Sequence, residues 1–340
     1  MAAVNRRWLL ASHPAAMPDE SNWRLVEEEI GAPAPGQLLV RAHYLSVDPY
    51  MRGRISRRAN YAAGVEIGAV MTGGGVGEVV ESRHPGFAPG DIVESFTFGW
   101  QEYALLGAAG TRKVDPSLGP IHSALGYLGM PGLTAYFAIL EAGRARPGDT
   151  VLVSAAAGAV GQIAGQLAKL AGCRTVAVTG SKDKLVWCRE IGYDAGINHR
   201  SVNDLAAAIA DACRDGVDVF LDNTAGPIHD AVMPNLAPRA RVVVCGQVAL
   251  ADRFDQPDFG PRFLRQIMIA RATVRGFLVL DYADRFELAR RRLAEWARSG
   301  RLRHCEDILD GIEQMPRAFL RLLSGQNFGK QLVRVAAGAA

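Results

Sequence analysis

The chain has 340 residues, 49% of them hydrophobic, and a formal net charge of +3. That length allows one large domain or two ordinary ones. The near-neutral charge gives no general case for nucleic acid or a membrane surface as partner, and no run of about 18 uncharged apolar residues reads as a membrane span. The cysteines at 173, 188, 213, 245 and 305 are scattered, without C-x-x-C or H-E-x-x-H spacing. Neither a zinc cluster nor a disulfide frame is predicted, and a reducing cytoplasm is the expected location.

Up to about residue 120 the pattern is strand and turn. Residues 38–50 read as a strand ending at Pro49. Glycine-rich 68–82, with Val76, Val79 and Val80, predicts a barrel-like sheet with bulges. Residues 87–95 read as a turn followed by a strand. From about 122 the pattern changes to helices broken at Pro131 and Gly132. Strand and helix then alternate: a buried strand at Val151–Val153, strand 175–179, helix 183–191, helix 203–214, strand 217–221, a helix near 227–236 and strand 241–245. This predicts a doubly wound parallel sheet. Arginines crowd 285–303, but Phe286, Ala289, Leu293 and Trp296 recur at helical spacing, so they read as the wet side of an amphipathic helix. The segment 330–335 reads as a strand returning to the first domain.

The most informative stretch is VLVSAAAGAVG at 151–161, an apolar strand running through a turn of small residues into a helix. Ala156, Gly158 and Gly161 hold the three positions of a dinucleotide fingerprint. Small residues there let backbone approach a pyrophosphate while the helix N-terminus aims its N–H groups at it. The next strand ends at Thr179-Gly180-Ser181 without the carboxylate that would hold a ribose 2′-hydroxyl. Ser181, Lys182 and Lys184 suit a 2′-phosphate instead, so NADP is favoured over NAD.

Longer strings carry a more specific signal: SVDPYMRGR (46–54), YAAGVEIGAVMTGGGVGEV (61–79), LGMPGLTAYF (128–137), LDNTAG (221–226), GPRFLRQIMIARATVRGFLVLDY (260–282) and NFGK (327–330). Together they closely resemble the zinc-independent double-bond reductases of the medium-chain dehydrogenase/reductase superfamily, in order and over nearly the whole chain. The resemblance implies an α/β protein with a Rossmann NADP-binding domain at 123–305. It implies a β-rich, barrel-like (GroES-like) catalytic domain from 1–122 with 306–340. The implied reaction is NADPH-dependent, metal-free reduction of the carbon–carbon double bond of enals and enones. Residues 1–120 contain no Cys, which a zinc alcohol dehydrogenase site would need. Alternatives are an NADPH quinone reductase and, in another class, a non-catalytic NADPH-binding sensor or scaffold. The implied partners are a small enone or enal and a second copy in a homodimer.

Without a metal, a hydroxyl must meet the enolate oxygen. The resemblance places Tyr61 in the proton-donating position, Tyr50 in or beside the same pocket, and Tyr282 near the nicotinamide end as a substrate contact. Some relatives carry a tyrosine where this chain has Ile269. For the cofactor, Met130 and Thr134 are expected near the nicotinamide and phosphates, and Ala157, Gly158, Ala159, Val160 and Gly161 form the pyrophosphate turn. Lys184 aligns with the 2′-phosphate lysine, with Lys182 as an extra cation. His199 falls where relatives stack a tyrosine, with Arg200 beside it. Asn223, Cys245 and Gly246 lie at strand ends, Phe277, Leu278 and Val279 flank the nicotinamide, and Asn327 closes the site.

Overall fold

Two strand systems organise the chain, an antiparallel one in the outer segments and a parallel one nested between them. The computed structural model describes residues 4–58 and 61–335. One unit takes the chain up to Gly126, then Ala251–Gln256, then from Glu306 onward; the other takes Tyr127–Leu250 and Pro257–Cys305.

In the first unit, β1 (Val4–Leu10) pairs antiparallel with β2 (Trp23–Glu29). Strand β3 (Gln37–Ser46) is the spine of the second sheet. It is followed by the single-turn helix α1 (Met51–Arg54), then β4 (Gly75–Ser82), β5 (Ile92–Ser95), β6 (Tyr103–Gly107) and β7 (Thr111–Lys113). One edge of β3 carries β4, with register shifts at Leu39/Val40 and Ala42/Tyr44. These are the bulges that the glycine-rich sequence predicts, and they tighten the curl of the sheet.

The nested unit opens with α2 (Met130–Phe137), which runs through Pro131 and Gly132. The expected break there does not occur. Pro131 lies in the first turn, where its missing N–H has no intrahelical acceptor to lose. Then follow β8 (Thr150–Ser154), α3 (Gly161–Leu170), β9 (Arg174–Thr179), α4 (Lys182–Glu190), β10 (Ala195–Asn198), α5 (Leu205–Ala212) and β11 (Val217–Asp222). After them come α6 (Gly226–Val232), β12 (Leu236–Val244), α7 (Leu264–Ala270), β13 (Thr273–Gly276) and α8 (Phe286–Arg298). The sheet order is β10-β9-β8-β11-β12-β13, all parallel. The order reverses between β8 and β11, where a doubly wound sheet binds its ligand outside the carboxyl ends of the strands. Leu152, Val176, Val178, Phe220 and Val242 are buried with helical Ile209 and Val232, the continuous apolar packing of a sheet covered on both faces.

Arg290 departs from the wet face predicted for the arginines of α8. It is 4% exposed, and its Nε donates to the Leu128 carbonyl at 3.2 Å. The chain re-enters the first unit with β14 (Glu306–Asp310), α9 (Met315–Leu323) and β15 (Lys330–Arg334). Strand β15 pairs antiparallel with β3 along the edge that β6 also occupies. Among the described residues no helix is long and apolar enough to cross a membrane.

Candidate functional site

In the nested unit the turn after β8 is built for close approach. Ala155 has a positive φ of 51°, and the Gly158 amide donates back to its carbonyl at 2.9 Å. A Cβ on Gly161 would lie 2.4 Å from the Ala155 oxygen and 2.6 Å from the Ala156 Cα, so only glycine lets α3 start against the strand. Tyr193 fastens that start from the other side, its hydroxyl donating to the Gly161 carbonyl at 2.7 Å. The turn formed by Ala157, Gly158, Ala159, Val160 and Gly161 is thereby fixed at the N-terminus of a ten-residue helix, an arrangement suited to an anion.

At the end of β9, Ser181 caps α4 by accepting from the Lys184 amide. A Cβ on Gly180 would stand 3.2 Å from both the Arg200 Nε and the His199 Nε2. Burial, then Arg200, then Lys184 hold His199 below the usual histidine range. Arg200 and His199 thus stand close to Gly180, with Lys184 near enough to His199 to add to its shift. Lys182 is exposed at the first position of α4. Ser181, Lys182, Lys184, His199 and Arg200 are the donors near this strand end that could hold an adenosine 2′-phosphate.

The strand ends toward the switch point are tied together by Asp222, which the sequence reading missed. Its backbone carbonyl accepts from the Cys245 and Gly246 amides at 2.8 and 3.0 Å. Asn223 reaches across to β8, its side-chain amide donating to the Ser154 carbonyl at 2.8 Å. Phe277 continues the row, its amide donating to the Val244 carbonyl at 3.0 Å. Desolvation, with Asp222 next, pushes the Cys245 thiol up to about 12, so it stays protonated. Thr134 is buried on α2, Met130 opens that helix, Val279 is buried, and Leu278 is 38% exposed. Tyr282 is 7% exposed and stacks on Phe137 with centroids 4.8 Å apart, while the Arg285 guanidinium sits 5.2 Å from its ring. Tyr282 is thus packed between Phe137 and Arg285 within this unit.

In the first unit, Tyr50 stands just ahead of α1, after β3 has ended at Ser46, short of the Pro49 that the sequence suggests. Its phenol is half-buried and held well above the usual tyrosine range by desolvation first and by Asp48 next. Tyr61 is 56% exposed and near enough to Tyr50 to add to that shift. The structure therefore brings the two predicted phenols together. Beneath them lies a pair that the sequence did not reveal. The Lys330 ammonium, 2% exposed, donates to Asp48 Oδ1 at 2.6 Å and to the Val47 carbonyl at 2.8 Å. Asn327 is buried three residues earlier, its amide donating to the Gly329 carbonyl at 3.0 Å.

A six-stranded doubly wound sheet with a small-residue turn at the start of its first helix, joined in one chain to a second, β-rich unit, is the architecture of a nicotinamide-dependent oxidoreductase. The family described as N-terminal domain of oxidoreductase matches residues 6–114, and that described as zinc-binding dehydrogenase matches 159–295. Among the described residues no group of three or more His, Cys, Asp and Glu could hold a metal ion. The chain is 41% identical to the NADPH-dependent curcumin reductase of Escherichia coli, over 98% of this chain and 97% of that protein. It is 35% identical to the NADP(+)-dependent 2-alkenal reductase of Nicotiana tabacum, over 97% of each. The crystal structure of CurA from Vibrio vulnificus in complex with NADPH superposes with a TM-score of 0.91 at 36% identity, covering 98% of this chain and all of that one. The chain belongs to the medium-chain dehydrogenase/reductase family, in its zinc-independent double-bond reductase group, and is an NADP-dependent oxidoreductase.

Proposed function

We propose that this enzyme reduces the carbon–carbon double bond of α,β-unsaturated aldehydes and ketones, with Tyr61 and Tyr50 supporting the enolate. The observation that carries the reading is the pair of phenols on either side of α1, with Tyr50 held above the usual tyrosine range by desolvation and then by Asp48. The named activities of the curcumin and 2-alkenal reductases support the substrate class. Bound NADPH supplies the hydride that the β-carbon accepts. As the π bond opens, charge moves to the carbonyl oxygen, and a phenolic O–H aimed there stabilises it while it develops. Tyr61, the more exposed phenol, donates a hydrogen bond to that oxygen, and a proton from solvent water then completes the α-carbon. Met130, Thr134, the 157–161 turn, Ser181, Lys182, Lys184, His199, Asn223, Cys245, Gly246, Phe277, Leu278, Val279 and Asn327 are the residues we assign to holding the cofactor. Residues 1–122 with 306–340 form the catalytic part, and 123–305 the cofactor part.

NADPH absorbance followed across a panel of alkenals, enones and benzoquinones tests the reading, with product analysis for the saturated carbonyl. Saturated product from the enals and enones, and faster turnover on them than on quinones, is expected. Turnover on quinones alone would replace the reading with a quinone reductase. NADPH binding without turnover would replace it with a sensor.

We further infer a homodimer. Strand β13 is an edge of the parallel sheet, and all four of its residues are exposed. In the same unit Leu264, Met268, Ile269 and Val274 are 69%, 69%, 59% and 43% exposed. An uncovered edge beside exposed apolar side chains is a pairing surface. Light scattering on wild type and Val274→Lys checks this; a wild-type monomer would refute it.

A further inference from the structure

Asp222, at the end of β11, has no exposed surface. Its Oδ1 accepts from the Thr224 amide at 3.0 Å, the Ala225 amide at 2.9 Å, and the Thr224 and Ser154 hydroxyls, each at 3.3 Å. Its Oδ2 faces His229 Nδ1 at 2.8 Å. The loop so gripped is strained. Ala225 sits at φ 56°, ψ −159°, a region that essentially only glycine occupies. A strained backbone persists only where surrounding contacts over-determine it, and here those contacts converge on one carboxylate. His229 lies on α6, seven residues along, with the rings of Phe220 and Phe263 at about 6 Å.

We propose that His229 is a positioning residue for the cofactor: its imidazolium neutralises the buried Asp222 carboxylate and so holds the strained 222–226 loop, and with it Asn223, in the shape that meets NADPH. This rests on the assignment of Asn223, Cys245 and Gly246 to the cofactor. The charged groups facing the ring are all acidic: Asp222 from β11, Asp230 beside it on α6, and Asp258 from the segment before α7. The hydrogen bond to Asp222 lifts His229 above the usual histidine range, and burial opposes that lift. The pair is complete at pH below the unfolded histidine value and is lost as pH rises through the raised folded value. A neutral imidazole still donates one hydrogen bond but leaves the buried charge uncompensated.

The test is the NADPH dissociation constant, read by fluorescence from about pH 6 to about pH 9, around the ordinary histidine range. Wild type is expected to bind roughly fivefold more weakly at the alkaline end, at the low end of typical coupling between sites. His229→Asn, which keeps a donor without the charge, is expected to show the weak value at every pH. Linkage demands the reciprocal, so NADPH must raise the pH at which the His229 ring titrates, seen by NMR in wild type. This arm needs no variant to fold. A ring that titrates at the same pH with and without NADPH overturns the proposal. So does a His229→Asn profile that superposes on wild type. Adding Ala225→Gly to His229→Asn relieves the strain and is expected to restore most of the lost affinity; no restoration overturns the strained-loop coupling. Asn223→Ala separates the two readings. If it weakens NADPH while His229 has no effect, only this proposal fails. If NADPH affinity is unchanged in Asn223→Ala as well, the cofactor assignment fails with it.

Discussion

Each unit sets a carboxylate against a cation, a partly exposed Asp48 in one and a fully buried Asp222 in the other, and the two differ in that cation. Under the phenols, Asp48 meets Lys330, an ammonium that is 2% exposed and comes from the far end of the chain. At the end of β11, Asp222 meets His229, an imidazole whose side chain is 24% exposed and which lies seven residues away. Lysine starts from a value of about 10.4 and histidine from about 6.5. Burial pulls Lys330 down while Asp48 opposes it. His229 starts near neutrality and is lifted by its hydrogen bond to Asp222, against burial. A carboxylate can thus be enclosed as a permanent fixture or as a conditional one, and the choice of partner decides which.

Breaking the permanent pair is expected to have the largest effect. Lys330→Met leaves Asp48 uncompensated and should lower unfolding stability by about 3–5 kcal/mol. Adding Asp48→Asn should recover most of that loss, and chemical denaturation of both variants measures it. Next come the phenols that the pair underlies. Tyr61→Phe removes only the hydroxyl; kcat should fall by at least about tenfold and toward 10³-fold, with NADPH affinity intact. Tyr50→Phe should fall less, and a reversed order would exchange their roles. On the cofactor side, Lys184→Ala should weaken NADPH by about 10–100-fold, about 1.5–3 kcal/mol for a charge-assisted contact, and leave NADH nearly unchanged. Equal loss for both cofactors would make Lys184 structural. A smaller effect is expected from the conditional pair. Folded-state pKa elevation at His229 adds stability at acidic pH, so the urea midpoint should decline as pH rises through the raised value, and His229→Asn should flatten that slope. Finally, prolonged treatment with a strong chelator should leave activity and Tm unchanged, because residues 1–120 hold no cysteine. Activity lost together with a stoichiometric zinc would contradict it.

What the sequence disclosed was local. The 151–161 turn declares itself because the steric demand at Gly161 and the helix start that it permits lie within one stretch of chain. The parallel strands are legible where they are long and apolar, as at Thr150–Ser154 and Val217–Asp222. The four-residue edge strands Ala195–Asn198 and Thr273–Gly276 carry too few residues to show a period. Pro131 misled because a proline looks alike in sequence whether it ends a helix or sits in its first turn. The two carboxylate pairs were out of reach for another reason. Asp48 and Lys330 meet only because β15 lies against β3, and Asp222 and His229 meet across a strand-to-helix turn with no periodic signal. Tyr193 is hidden likewise, an aromatic in an ordinary loop until α3 is laid over it.

The pairing of β15 with β3, in which Val333 faces Leu45, also sets an order of events in time. Synthesis proceeds from the N-terminus, and domains fold as units when their chain is available. The nested unit ends at Cys305, so all of its strands leave the ribosome before β15 is made. The outer sheet must wait with one edge of β3 open, shielded over its first half by β6 and bare from Tyr44 to Ser46. The strand that closes this edge is therefore the last of the outer sheet to be made, and its pairing is what brings Lys330 to Asp48.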